Sequence, residues 1–324
     1  MKRMSMIATL GLLLAATSAQ AQSYPSRTIT MVVTAAAGGV TDTVARALAQ
    51  HLTETWKQQV VVENRGGAAH SQAMTVVARS QPDGYTLMVG EAGGFVINPA
   101  IYPKGKLDYD EKKDFIPITG LVRINQALLA RKDLPASNAK ELIELAKQKP
   151  GSITYATAGI GSAPHMNIAL FESMSGVKFL PVHYRGAALA LNDVIGGHVD
   201  LMTVSISLAL PPYQAGKIKI LGIGSEKRVP QLANMPTVSE TGLPGFTSTT
   251  WFGLFAPAGT PRDIVMKLNA EAAKLFNDPE FKKRFLEPQY FEPLVTSPEQ
   301  FQKFIDAEIA KWSKVVKAAN IKIE

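Results

Sequence analysis

The sequence predicts an α/β fold organised in two domains. Short β-rich segments alternate with amphipathic helical segments through most of the chain, a pattern typical of sheets flanked by helices. The chain has 324 residues. Once the N-terminal segment is set aside, about 300 remain, a length beyond which a single hydrophobic core stops growing. No repeat of the length typical of solenoids is present.

The first element is a β-rich segment at Ile29–Val33, followed by a helix with Thr41 as its expected N-cap. Strands are predicted at 59–62 and 85–89. In the middle third a helix opens at Asn138 with Glu141 three residues on, a capping-box pattern. The remaining predicted elements are strands at 153–156, 179–184, 199–204 and 218–223 and helices from Pro164, Gly186, Pro261 and Ser297. This alternation favours mainly parallel sheets.

Residues 1–21 are predicted to be a signal peptide. Lys2 and Arg3 precede an apolar segment at 7–16 that is too short to span a bilayer, and small residues follow at Ala19 and Ala21. Cleavage after Ala21 predicts a periplasmic, secreted protein. The chain has no cysteine, so we expect neither a disulfide nor a lipid anchor on cysteine.

Charge and composition exclude several classes of protein. Lys and Arg number 34 and Asp and Glu 27, and without Lys2 and Arg3 the balance is 32 − 27 = +5. The basic residues are scattered, unlike those of nucleic-acid-binding proteins. The five histidines show no metal-ligand spacing, and no nucleotide-binding motif occurs. We therefore expect no cofactor, no metal and no nucleic-acid partner.

A Gly-rich segment at 34–42 lies between a predicted strand and a predicted helix. Glycines there let backbone N–H groups face a ligand, and the helix N-terminus adds a partial positive charge. Ligands of open α/β sheets bind beyond the carboxyl ends of the strands. The alternative is a plain turn that needs glycine only for its backbone conformation. The candidate ligand-binding residues are Thr34, Ala35, Gly38, Gly39, Thr41 and Asp42.

A second segment of the same kind lies at 157–165. Its candidates are Thr157, Gly159, Ser162 and His165, with Tyr184, Arg185 and Ser205 from later loops. Two such loops suggest a ligand held between two lobes. Neither loop contains Lys or Arg, so N–H groups and hydroxyls would recognise it. His70 and His165 each begin a helix, where an imidazole donates to a carboxylate or simply faces solvent. An exported hydrolase using Ser162 and His165 is the rival function, although no third orienting group is identifiable.

The chain resembles the substrate-binding component of tripartite tricarboxylate transporters, the Bug family. The motifs that carry the resemblance are Gly38-Gly39-x-Thr41-Asp42, Val61-Val62-Glu63-Asn64-Arg65, Pro82-Asp83-Gly84-Tyr85-Thr86, Ile97-Asn98-Pro99-Ala100-x-Tyr102, Tyr184-x-Gly186, Gly196-Gly197-x-Val199-Asp200 and Ala256-Pro257-Ala258-Gly259-Thr260-Pro261. Their order and spacing extend through nearly the whole chain after residue 21.

The resemblance implies a monomeric, non-enzymatic periplasmic protein with the two-lobed Venus-flytrap fold, type II-like, each lobe a central sheet flanked by helices. Lobe 1 would comprise 22–121 and 242–324, and lobe 2 would comprise 122–241. It would bind a small carboxylate, aromatic or di- or tricarboxylic, for the membrane subunits of a tripartite tricarboxylate transporter. Docking on a signalling receptor is the alternative partner.

The chain departs from the family pattern inside the expected pocket. Ala35 replaces an aromatic residue, and Val40 replaces a glycine. Val204 stands where many members carry an aspartate, and His70 stands where glycine is frequent. A missing ring leaves space, so we expect a bulkier or aromatic acid unless a neighbour such as Phe95 fills the gap. Asp42 is expected to stabilise the helix start rather than to contact the ligand.

Overall fold

A computed structural model describes residues 24–35, 37–66 and 70–322. The predicted signal peptide and its cleavage site lie outside these residues. The strands are β1 (Ile29–Val33), β2 (Val60–Asn64), β3 (Thr86–Glu91), β4 (Phe115–Arg131), β5 (Thr154–Thr157), β6 (Leu180–His183), β7 (Leu201–Ser205), β8 (Ile218–Ile223), β9 (Thr249–Pro257) and β10 (Phe291–Pro293). The helices are α1 (Val40–Trp56), α2 (Ser71–Ala78), α3 (Asn98–Ile101), α4 (Ala139–Gln148), α5 (Ala163–Ser175), α6 (Ala187–Ile195), α7 (Ile206–Gln214), α8 (Val238–Thr241), α9 (Arg262–Asn277), α10 (Pro279–Phe281) and α11 (Pro298–Ala319), with a π-helical turn at Gly93–Ile97.

The strands pair in the order β2-β1-β3-β9-β4-β7-β5-β6, and β8 and β10 also pair with β4. This arrangement confirms the predicted α/β class. β1 is parallel to β2 and β3, and β5 is parallel to β6 and β7. The prediction of mainly parallel sheets was wrong, because β4 and β9 run antiparallel to each of their partners.

Strand β4 joins the two halves of the molecule. Its residues 115–125 pair with β9, and its residues 126–131 pair with β7 and β8. We call β1–β3, β9, β10 and residues 115–125 the first half, and β5–β8 with residues 126–131 the second half. Three segments of the chain, at Gln126, Gly224 and Ser248, are joined by backbone hydrogen bonds where β4 changes partners. Gly224 N–H donates to the Gln126 carbonyl at 2.7 Å, and Ser248 N–H donates to the Gly224 carbonyl at 2.7 Å. The sequence-based division at 121/122 and 241/242 stays a prediction.

Helix α1 covers one face of the first half. Val44, Leu48 and Leu52 are fully buried against β1 and β3, as the helical spacing of these apolar residues predicts. The N-cap differs from the prediction, because Gly39 caps a helix that begins at Val40. Thr41 lies instead in the first turn and is buried.

The C-terminal helix α11 contacts both halves. It begins with the capping box predicted at Ser297, whose side chain accepts from Gln300 N–H while Gln300 reaches back to Ser297 N–H. It packs against α5 of the second half and against the π-helical turn of the first. Its apolar stripe, which includes the buried Phe301 and Trp312, faces the core as predicted.

Candidate functional site

A cavity of about 90 Å³ lies between the two halves. We call it the interlobe cavity. Its lining residues come from both halves and from α11: they are His70, Glu91, Ala92, Gly93, Ile97, Gly161, Ser162, Ala163, Met166, Asn167, Thr249, Thr250 and Trp312. Ligand sites of α/β proteins are commonly found at such junctions.

The loop between β1 and α1 is held in place by Asp42. The buried Asp42 carboxylate accepts from Gly38 N–H at 2.8 Å, from Arg46 Nε at 2.9 Å and from Asn64 Nδ2 at 2.9 Å. Burial alone would raise the pKa of Asp42, but these hydrogen bonds outweigh it and hold the pKa below its ordinary value. Asp42 therefore fixes the shape of this loop, in line with the structural role expected for it.

Thr34, at the end of β1, differs from its neighbours because its hydroxyl is unpaired. The residue is buried, and Oγ1 has no hydrogen-bond partner among the described residues. Its carbonyl lies 3.1 Å from Nδ1 of His70, which lines the interlobe cavity. A buried hydroxyl without a partner is unfavourable unless another molecule supplies one. Ala35 lies beside it, half-buried, and its carbonyl accepts from Asn64 Nδ2 at 3.2 Å.

The loop between β5 and α5 is stabilised by its own side chains. Ser162 Oγ donates to the Gly159 carbonyl at 2.6 Å, and Gly161 N–H donates to His165 Nδ1 at 3.0 Å. The second bond requires Nδ1 of His165 to be unprotonated. Burial lowers the pKa of His165 to about 4, and the nearby His183 adds to this effect. Thr157 Oγ1 lies 2.7 Å from His183 Nδ1 and accepts from Gly159 N–H.

This geometry does not favour a serine hydrolase. Ser162 directs its hydroxyl to a backbone carbonyl, and His165 Nδ1 accepts from a backbone amide. A triad needs the serine hydroxyl to donate to a histidine that is oriented by a third group. A histidine whose pKa is about 4 is also a weak base at neutral pH.

None of the three residues predicted from later loops lines the interlobe cavity. Tyr184 donates from its hydroxyl to Asp193, and burial together with this bond raises the pKa of Tyr184 to about 12. Arg185 is exposed. Ser205 is the N-cap residue of α7, and its Oγ lies 3.2 Å from Ser207 Oγ.

The sequence reasoning missed a carboxylate in the cavity. Glu91 ends β3, and its Oε1 lies 3.3 Å from Nδ1 of His70. Burial raises the pKa of Glu91, and His70 opposes this shift. The backbone of His70 is in the left-handed region, with φ 73°. Glycine adopts this conformation without strain, which explains why glycine suits this position. Asn167, Thr249, Thr250 and Trp312 were missed as well.

A β-carbon added to Gly93 would lie 2.6 Å from His70 Nε2. The absence of a side chain at Gly93 therefore gives the imidazole of His70 the room it occupies. His70 and Glu91 therefore lie side by side on the first-half side of the cavity.

Comparison with known proteins decides the family. The model of the tripartite tricarboxylate transporter family receptor, TctC, matches residues 44–321. The chain belongs to this receptor family. Protein BugT of Bordetella pertussis is 30% identical over 319 residues, covering 98% of this chain and 96% of that protein. A second relative is the UPF0065 protein in the tcbD-tcbE intergenic region of Pseudomonas sp. strain P51. It is 33% identical over 97% of this chain and 94% of that protein.

Solved structures of TctC-type proteins share the fold. R. palustris Rpa4515 with adipate has a TM-score of 0.80 and 35% identity, covering 92% of this chain and 99% of that one. MatC from Rhodopseudomonas palustris with bound malate has a TM-score of 0.74 and 36% identity, covering 90% and 100%. The periplasmic binding protein BugD has a TM-score of 0.76 and 38% identity, covering 93% and 100%. The chain is thus a TctC-family periplasmic solute-binding protein.

The described part of the chain adds two observations. No helix in it combines the length and the apolar character that a bilayer-spanning helix needs. No group of three or more His, Cys, Asp or Glu in the same residues could hold a metal ion.

Proposed function

We propose that this TctC-family receptor captures a small carboxylate in the interlobe cavity and delivers it to the membrane subunits of a tripartite tricarboxylate transporter. The main observation in favour of this proposal is that both halves line one cavity. The second half contributes the N-terminus of α5, at 161–163, to its lining. A helix N-terminus favours anions because its first N–H groups lack intrahelical partners. The adipate and malate in the two related structures support a carboxylic acid as solute.

The proposed ligand-binding residues remain those of the two loops. Of them only Ser162 lines the interlobe cavity, and Thr34 adjoins the cavity through its contact with His70. Asp42, Ser162 and His165 hold the loops, whereas the Thr34 hydroxyl has no hydrogen-bond partner among the described residues. Backbone N–H groups at the start of α5 complete the proposed anion site. Tyr184, Arg185 and Ser205 would act only on the distal end of a longer solute.

The adipate and malate in the related structures favour a short aliphatic acid over the aromatic acid that Ala35 suggested. Ala35 does not line the interlobe cavity, so the space expected from the missing ring is not part of that cavity. Phe95 does not fill the space beside Ala35, because its ring stacks on Phe255 at 3.9 Å in a core cluster separate from that of Ala35.

Mass spectrometry of the solute released on denaturing freshly purified protein tests the proposed function. A thermal-shift panel follows, in which four- to six-carbon diacids are compared with benzoate and phthalate. A ligand at 100 times its Kd adds about 2.7 kcal/mol to stability, so binding will be visible as a raised Tm. Release of a non-acidic solute, with no Tm change for any acid, would contradict the proposal.

Replacing Thr34 with valine is expected to weaken solute binding about tenfold without destabilising the unliganded protein. The change removes a hydroxyl that has no partner among residues 24–35, 37–66 and 70–322, so a methyl group in its place should not destabilise the unliganded protein. Calorimetry gives the affinity and thermal unfolding gives the stability.

Thr119→Val is the matched control, because Thr119 is equally buried but its hydroxyl donates to the Thr296 carbonyl at 3.0 Å. This variant should lose about 1–3 kcal/mol of stability and keep its affinity. Equal affinities for Thr34→Val and the unaltered protein would remove Thr34 from the site.

We also propose that the exported protein begins at Gln22, since Ala19 and Ala21 satisfy the small-residue rule for cleavage. Intact-mass measurement of the periplasmic protein checks this, and a species that retains residues 1–21 would refute it.

A further inference from the structure

We propose that the junction where β4 changes partners disfavours the arrangement in which the two halves contact each other, and that Ser225 and Ser248 thereby lower the affinity for solute. We call this junction, at residues 125–126, 224–225 and 247–249, the hinge. The inference rests on the proposed function, because it concerns what controls binding in the same cavity. It begins from buried polar atoms that lack partners at the hinge.

Three side-chain oxygens at the hinge are buried and unpartnered. They are Asn125 Oδ1, Ser225 Oγ and Ser248 Oγ, which make up three of the seven atoms of this kind in the described residues. The three residues are 1%, 3% and 1% exposed. Such atoms have lost their hydration without gaining a hydrogen bond, and this is unfavourable for the arrangement in which the halves are in contact.

The hinge is closely packed around Gly224. A β-carbon added to Gly224 would lie 2.6 Å from Ser248 Cβ and 3.1 Å from the Gln126 carbonyl oxygen. Gly224 follows β8 of the second half, whereas Ser248 immediately precedes β9 of the first. The surroundings of the Ser248 hydroxyl therefore depend on how the two halves are placed against each other.

The amide of Asn125 is held in one orientation. Its Nδ2 donates to Glu292 Oε1 at 2.6 Å. A carboxylate only accepts, so the amide keeps its nitrogen toward Glu292 and its oxygen away from it. In the pairing of β4 with β9, Asn125 lies opposite Thr249, which lines the interlobe cavity. The hinge therefore adjoins the cavity that is proposed to bind the solute.

A groove of about 540 Å³ lies over the hinge, and Asn125, Ser225 and Thr249 are among its lining residues. We call it the hinge groove. With the halves in contact, the unpartnered oxygens of Asn125 and Ser225 are not accessible to its solvent. A small rotation of one half against the other would expose them there and restore their hydration. The hinge thus favours a rotated arrangement, and a solute that holds both halves must offset the difference.

Replacing Ser225 or Ser248 with alanine should therefore tighten solute binding at least about fivefold, mainly by slowing release. Each change removes an unpartnered hydroxyl, so a larger fraction of the unliganded receptor has its halves in contact, and the apparent affinity rises with that fraction. Calorimetry with adipate and with malate measures the affinity, and stopped-flow fluorescence measures the rate of release.

A distance measurement without solute tests the hinge directly. The chain has no cysteine, so Thr55→Cys and Asn192→Cys together give two sites for dyes. Thr55 is exposed on α1 of the first half, and Asn192 is exposed on α6, which packs on β5 and β7 of the second. Energy transfer should show more molecules with the halves in contact in Ser225→Ala and in Ser248→Ala than in the labelled protein without these changes.

Thr296→Val is the matched control. Thr296 Oγ1 is likewise buried and has no hydrogen-bond partner in the part of the chain that the structure describes. The backbone of Thr296 is bonded to Thr119 within the first half, away from the hinge. Its substitution should raise the Tm, because an unpartnered hydroxyl is lost, but it should change neither the affinity nor the energy transfer.

Unchanged energy transfer in both serine variants, weaker binding by them, or an equal shift in Thr296→Val would overturn the inference. The proposed function can fail separately. If neither acid binds and a non-acidic solute is recovered, the proposed function is contradicted, while the energy transfer measured without solute still decides whether the hinge disfavours contact.

Discussion

Replacing Gly161 with leucine is expected to abolish solute binding, with a loss of affinity of at least about 100-fold, or ~2.8 kcal/mol. A β-carbon on Gly161 would lie 2.6 Å from Ile101 Cδ1 and 3.8 Å from Ile97 Cγ2. The loop of the second half therefore packs directly on the first half beside the interlobe cavity. A side chain at this position would push the two halves apart. A solute that is held by both halves would then lose its contacts with one of them. Calorimetry with the solute identified by mass spectrometry measures the loss.

The matched control is Gly176→Leu. Gly176 has φ +74°, close to the φ +76° of Gly161, but no atom lies within 4 Å of its added β-carbon. Both substitutions force a side chain into the left-handed region, at a cost of roughly 1–2 kcal/mol each. Gly161→Leu should therefore lose at least as much stability as Gly176→Leu, and only Gly161→Leu should lose binding. Equal loss of binding in both would assign the effect to backbone strain, and normal binding by Gly161→Leu would refute capture between contacting halves.

The parts of the fold that the sequence predicted are those with a clear local pattern. Ile29–Val33, Ile218–Ile223 and the helix at Pro298–Ala319 agree with prediction because their residue types, spacing and caps are sufficient by themselves. Strand β4, at Phe115–Arg131, was missed. Nearly all of its residues are buried on both sides of the sheet, so the sequence lacks the alternation that identifies a strand. The antiparallel partner β9 was missed with it.

The candidate site was predictable only in part. The two Gly-rich loops follow strands at their carboxyl ends, a rule that depends on local sequence alone. The same rule applies to Glu91, but β3 was predicted to end at Val89, so the acidic residue was not considered. The contact of Glu91 with His70 joins the residue that ends β3 to the N-cap of α2, whose imidazole lies against the Thr34 carbonyl after β1. No local pattern encodes that contact.

Replacing Asp42 with alanine is expected to lower the free energy of unfolding by about 3 kcal/mol and to disorder the loop between β1 and α1. The Asp42 side chain is 4% exposed and accepts hydrogen bonds from Gly38, Arg46 and Asn64. Alanine leaves the Gly38 amide and the Asn64 side chain without this acceptor, and it leaves Arg46 without its anion. Urea unfolding followed by circular dichroism measures the change.

Arg262→Ala is the control for the loss of an ion pair alone. Arg262 and Glu299 are 69% and 54% exposed in their side chains, so water replaces the pair and the unfolding midpoint should not move. The pH dependence gives an independent check on Asp42. Its folded-state pKa lies below the unfolded value, so its contribution to stability is present above the unfolded pKa and is lost as the pH falls through the folded one. The difference in stability between the unaltered protein and Asp42→Ala should therefore be largest at neutral pH and should shrink in acid. A difference that stays constant from neutral pH into acid would show that Asp42 acts through packing and not through its charge.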